Sequence, residues 1–202
     1  MGITIMKSEK LLEVMHTTEK LKDTMRHCYT SAGRRESVGE HSWRLALLAY
    51  FVTDEFEGID TEKLLKMCII HDLGEIFTGD VPVFNKTKSN EETEENLLFK
   101  WVGTLDEPFR TEMLCLYKEM EELKTTEARV YKALDGIEAL IQHNESDIKT
   151  WLELEYNLQL TYADDKVAFS DYLKELREVV RQESIRKIEK ERASETEAPN
   201  CR

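Results

Sequence analysis

Glycine and proline are scarce in this chain, 8 and 3 among 202 residues. That scarcity, beside abundant Leu, Glu and Lys, favours helix over sheet. Four cysteines, Cys28, Cys68, Cys115 and Cys201, include no C-x-x-C pair, so no disulfide framework is indicated in a chain this long. A signal peptide and a transmembrane run are both missing, which leads us to expect a reducing cytoplasm and no membrane. There is no Gly-rich phosphate loop, no G-x-S-x-G elbow and no internal repeat. Positive charge is also short. Lys and Arg number 28 against 41 Asp and Glu, a formal charge of −13. This argues against a nucleic-acid polymer or an anionic membrane as partner. An anionic small molecule would need a local cluster of bases or a metal ion.

What is present fits one soluble domain with a sizeable core, 41% hydrophobic and 34% charged. Apolar spacing predicts helices over residues 8–28, 37–56, 61 to the His71 region, 91–103, 108–123, 125–144, 146–162 and 170–193. The expected fold is therefore all-α, a single-domain helical bundle over 1–193. Residues 194–202 are expected to be a disordered tail. Ser37-Val38-Gly39-Glu40 has the pattern of a capping box. The helix after it carries His41, Leu45, Leu48, Val52 and Phe56 on its core face. Asp60 or Thr61 caps the next helix.

That next helix runs through Leu64, Leu65, Met67, Cys68, Ile69 and Ile70 into His71-Asp72-Leu73-Gly74-Glu75, followed by Thr78-Gly79-Asp80. An apolar run that ends in ionisable groups calls for partners or a metal, because an isolated buried charge is costly. On one helix His71 and Glu75 would share a face. A short connection makes the two helices antiparallel, so His41 at one start meets His71 and Asp72 at the other end. Arg26 is either an anion ligand or a cation near a helix end. Lys86 and Lys88 either approach an anion at the mouth of the site or, more simply, are solvated. Asp135 lies roughly 120–160° from the stripe Val130, Leu134, Ile137, Ile141, and periodicity alone makes it a surface residue.

The succession Arg26, Glu36-Ser-Val-Gly-Glu-His41-Ser, His71-Asp72, Glu75, Thr78-Gly-Asp80 and Ala133-Leu-Asp135 resembles the HD-domain phosphohydrolases, and within them the 5'-deoxynucleotidase branch of nucleoside 5'-monophosphatases. The resemblance spans about residues 8–180. It implies a helical HD-domain bundle and one divalent metal ion on His41, His71, Asp72 and Asp135. Two imidazoles and two carboxylates suit manganese, cobalt, iron, magnesium or zinc. It further implies hydrolysis of a nucleoside monophosphate, with Glu75 as proton-transfer residue. Asp80 would bind the sugar or orient water, and Arg26 would hold the phosphate. Relatives place a tryptophan against the sugar after that arginine; here the position is His27, which puts deoxy-selectivity in question. Of the five histidines, His16 and His143 fall outside these motifs, which disfavours sites with two or three metals. A homodimer is expected, on the resemblance and on apolar helical faces late in the chain. Two other readings compete: an HD hydrolase of a triphosphate, cyclic nucleotide or guanosine polyphosphate, and a non-catalytic scaffold clamped by metal.

Overall fold

The computed structural model describes residues 6–197. The chain divides into two compact units, Met1–His27 with Glu36–Tyr131 and Cys28–Arg35 with Lys132–Arg202. The first unit opens with α1 (Ser8–Thr18) and a 3-10 turn, Glu19–Lys22. The helix expected to reach residue 28 stops here. Arg26 and His27 lie instead on a strand, β1 (Met25–Tyr29), in a two-stranded sheet with β2 (Arg35–Ser37). Both strands straddle the division, so the hairpin tip belongs to the second unit.

Helix α2 (Val38–Val52) starts with the expected capping box. The Glu40 amide donates to Ser37 Oγ at 3.3 Å, and the Ser37 amide donates to Glu40 Oε2 at 2.9 Å. These bonds satisfy donors that the first helical turn would otherwise leave open. Val38, His41, Ser42, Leu45, Ala49 and Val52 are buried, whereas Leu48 is half-buried. Phe56 lies beyond the helix end.

Asp60 caps α3 (Thr61–Ile70) by accepting from the Lys63 amide at 3.0 Å. Leu64, Met67 and Cys68 on its inner face are wholly buried. Leu64 and Met67 each contribute about 1.5–3 kcal/mol on leaving water. The helix does not continue through His71 to Glu75. It ends at Ile70, whose carbonyl accepts from the Tyr117 hydroxyl at 2.6 Å. A turn over 71–74 follows, and Glu75 opens the short helix α4 (Glu75–Thr78). Gly79 closes it at φ 76°, a left-handed conformation that a side chain would resist. Next come α5 (Lys88–Val102), with reciprocal Thr87–Asn90 capping bonds, and α6 (Phe109–Glu122). Helix α7 (Thr126–Glu145) begins in the first unit and ends in the second.

In the second unit, α8 (Glu153–Thr161), α9 (Asp164–Val167) and α10 (Asp171–Glu197) accompany α7. The helix expected over 146–162 is split, with a 3-10 turn at Ile148–Thr150 before α8. Arg177 is almost wholly buried and donates to the carbonyls of Tyr162 and Gln159 at 2.8 and 2.9 Å. Helix α10 continues to Glu197, four residues into the stretch expected to be an irregular tail. The remainder of that stretch, 198–202, lies outside the described residues. Among the described residues, no helix is long and apolar enough to cross a membrane.

Candidate metal centre

The α2–α3 pairing brings the first turn of one helix to the last turn of the other. His41 Nε2 lies 3.2 Å from His71 Nε2. Asp72 Oδ2 lies 3.0 Å from His71 Nε2 and 3.8 Å from His41 Nε2. The His41 residue is only 1% exposed. His71 Nδ1 is 2.9 Å from the Cys68 carbonyl, which can only accept. The proton therefore sits on Nδ1 in neutral His71, and the Nε2 lone pair faces His41 and Asp72.

These atoms fit a cation. Ligand atoms held about 2.1 Å from one ion lie about 3.0 Å apart at right angles and about 3.4 Å apart at tetrahedral angles. One ligand atom from each of His41, His71 and Asp72 falls within 4.8 Å of the other two. Two imidazoles and a carboxylate are a sound donor set for a divalent transition metal.

Beside this trio lies a crowd of carboxylates. Glu75 is 6% exposed, and its buried Oε2 has no hydrogen-bond partner. Its carboxyl is pushed up to about 10, first by burial and then by the charges of Asp72, Asp80 and Glu94, against the opposing pull of Lys86. Asp80 is also raised, chiefly by burial and then by Asp72, while Arg26, the His27 backbone and Lys86 work the other way. Repulsion among acids that water cannot screen makes this region receptive to a cation.

Two residues bring β1 to this ground. Arg26 Nη1 donates to Glu36 Oε2 at 2.8 Å, and both side chains are largely buried. The His27 ring meets Phe84 edge-on with centroids 5.6 Å apart. Asp135 is described in the second unit, where it is half-buried on α7 and accepts from Lys132 Nζ at 2.9 Å. The sequence reading of Asp135 as a plain surface residue is corrected by that burial. Of the remaining histidines, exposed His16 lies on α1, and His143 faces Glu155 and the Trp151 ring in the second unit.

Several contributors escaped the sequence reading. Glu36 was quoted only as part of a motif, yet it is the buried anion that holds Arg26. Lys86, read as solvated, is partly buried and paired with Glu94 at 2.9 Å, whereas Lys88 is indeed exposed. Tyr117 anchors the end of α3. The Tyr131 ring packs edge-on against His71, 5.6 Å between centroids. Only the buried-aromatic spacing of α6 and α7 signalled the last two.

Comparison with known proteins agrees with the geometry. A 5'-deoxynucleotidase of Danio rerio is 30% identical over 141 residues, covering 68% of this chain and 70% of its own. A 5'-deoxynucleotidase of Dictyostelium discoideum is 31% identical over 144 residues, covering 66% and 76%. The crystal structure of a predicted metal-dependent phosphohydrolase from Magnetospirillum magnetotacticum shares the fold. It aligns with a TM-score of 0.76 at 23% identity, over 91% of this chain and 97% of that one. The HD domain model matches residues 18–177, a span that takes in His41, the His71-Asp72 pair and Asp135. The chain belongs to the HD-domain family.

Proposed function

We propose that this protein is a metal-dependent phosphohydrolase that converts (deoxy)ribonucleoside 5'-monophosphates to nucleoside and phosphate. The observation that carries the reading is the convergence of His41, His71 and Asp72 beside the buried Glu75 carboxyl. The 5'-deoxynucleotidase names of the curated relatives support the substrate class. One divalent ion, of the manganese, cobalt, iron, magnesium or zinc group, would be held by His41, His71, Asp72 and Asp135. When bound, it supplies Lewis-acid polarisation of the phosphoryl group and a more acidic water.

The chain's own residues do the rest. Arg26 presents its guanidinium to the phosphate, steadied from behind by Glu36. Glu75 accepts the proton of the attacking water. Burial does most to keep Glu75 protonated, and a cation on Asp72 would offset the charge that adds to it. The new bond joins water oxygen to phosphorus, the bond from phosphorus to the 5'-oxygen breaks, and the proton passes to that oxygen. Asp80, pinned by the His27 backbone, and the His27 ring contact the sugar.

The HD domain spans 1–193, supported by the family match over 18–177. The protein works as a homodimer in the cytoplasm. Exposed apolar side chains on α2, Trp43 at 65% and Phe51 at 72%, support self-association on that helix rather than late in the chain. A mass of one chain by light scattering would reject the dimer. The deciding experiment measures phosphate release from paired ribo- and deoxyribonucleoside 5'-monophosphates after chelation and reloading with single metals. Metal-dependent release is expected. No release from any monophosphate, with metal bound, would sink the reading.

A further inference from the structure

Glu75 has a placement problem. Its Oε2 has no hydrogen-bond partner, and it sits at the first position of a four-residue helix. Something other than hydrogen bonding to that oxygen must fix where the carboxyl points. The residue before it shows what does. A Cβ built on Gly74 would lie 2.7 Å from Glu94 Cγ, 3.0 Å from Glu94 Oε1 and 3.3 Å from its Cδ. The Glu94 side chain, arriving from α5, thus lies directly over the backbone of the 71–74 turn. A side chain at position 74 would force Glu94 to shift, because real Cβ atoms do not approach so closely.

Glu94 is itself held. Lys86 Nζ bonds its Oε2 at 2.9 Å, and both side chains are mostly shielded, 25% and 16% exposed. Lys88, two residues on, is 88% exposed on its side chain and makes only a long contact within α5. Lys86 is therefore singled out by position. Its charge also acts on Glu75 and Asp72, opposite in sign to the carboxylates around them.

We propose that Lys86, Glu94 and Gly74 form a positioning clamp that holds the 71–74 turn against α5 and so sets the Glu75 carboxyl. The clamp rests on the monophosphatase reading for its kinetic consequence only. Lys86 and Glu94 are positioning residues here; neither is assigned a contact with substrate. Lys86 closes the clamp from the loop before α5, and Glu94 transmits it to the turn. Misplacing a reacting group by even an ångström can cost about a hundredfold in rate, so a partial loosening is expected to cost less than that.

The test compares Lys86→Met, Glu94→Gln, the double variant and Lys86→Arg in the metal-loaded protein, with deoxyadenosine 5'-monophosphate as probe. Each single variant should lower kcat about tenfold, with KM and bound metal within about twofold of wild type. The double variant should lose little more than either single, and Lys86→Arg should recover most of the rate. A raised KM at unchanged kcat would make Lys86 a substrate contact and overturn the clamp. Unchanged kinetics would overturn it as well. A wild-type protein that holds metal yet releases no phosphate defeats the monophosphatase reading instead. The clamp is then decided without substrate, by hydrogen exchange on metal-free Glu94→Ala. The amides of Glu75 and Ile76, bonded to Asp72 and Leu73 carbonyls, should exchange about tenfold faster while those of α2 do not change. Equal rates in variant and wild type would overturn it.

Discussion

The two units gather different kinds of polar group. In the second unit a set of side-chain donors is matched to helix-end carbonyls. Arg177 reaches the Gln159 and Tyr162 carbonyls, the Trp151 indole reaches the His143 carbonyl, and Lys187 caps Asn144. Ser184 joins Asn144 Oδ1, and the Asn144 amide returns to the Val180 carbonyl. Thr30 Oγ1, Arg177 Nη1, Arg181 Nε and the Gln159 side-chain amide are exceptions. In the first unit the ground around His71 is rich in acceptors instead. Two imidazole nitrogens and the Asp72 carboxylate converge, with Glu75, Asp80 and Glu94 acting on the same space. A matched network serves as scaffold. A surplus of acceptors is a site that awaits a cation or a proton.

Removing ligands should break the contrast most completely. His71→Ala and Asp135→Ala should each weaken metal binding by more than about a hundredfold, read by metal content after dialysis. Asp135→Ala with full occupancy would remove that residue from the ligand set. Next in size, Glu75→Gln should lower kcat by about 10²–10⁴ while metal stays bound, as loss of a proton-transfer group does. In the second unit, Arg177→Ala should cost about 2–5 kcal/mol in denaturant unfolding. It strips the Gln159 and Tyr162 carbonyls of a buried donor. The metal-loaded kcat should stay within about twofold.

The pH dependence sharpens the same contrast. The Glu75 carboxyl is raised from 4.5 to about 10, mainly by burial, so the folded chain favours its protonated form. Its contribution to stability is full below the unfolded value and is lost as pH rises through the folded one. Metal-free protein should therefore lose stability between about pH 4.5 and 10, and Glu75→Gln should flatten that slope in urea titrations. The smallest effect concerns selectivity. His27→Trp should raise the deoxy-to-ribo ratio of kcat/KM severalfold, because a larger ring crowds a 2'-hydroxyl. An unchanged ratio would remove residue 27 from sugar recognition.

Local signals were legible and distant ones were not. The Ser37–Glu40 capping box and the Asp60 cap could be read because their partners lie three residues away. The short link between α2 and α3 was enough to bring His41 to His71. The strand at Met25–Tyr29 was hidden because Leu21 and Met25 keep helical spacing, while the strand depends on pairing with Arg35–Ser37. The helix break after Ile70 was hidden because, beside the local Leu73 amide, its carbonyl takes the Tyr117 hydroxyl from far along the chain. Asp135 read as surface because the periodicity of α7 was taken from one stripe. Ala128, Tyr131 and Glu138 are buried as well, so the helix is covered on more than that side. Glu36 was legible only as part of a motif and Glu94 only as a charge, and their roles rest on Arg26 and Lys86.

The hairpin tip has a consequence for the order in which the chain can fold. Residues 28–35 interrupt the first unit, ahead of its larger segment Glu36–Tyr131, yet they belong with a unit completed only from Lys132 onward. The Tyr29 carbonyl waits for the Gln142 amide that donates to it at 2.8 Å. A chain emerging from the ribosome in order would therefore complete its first unit before the partners of this early excursion exist. Such long-range closure slows folding. Deleting that one donor with Gln142→Leu should act on the last step of assembly rather than the first.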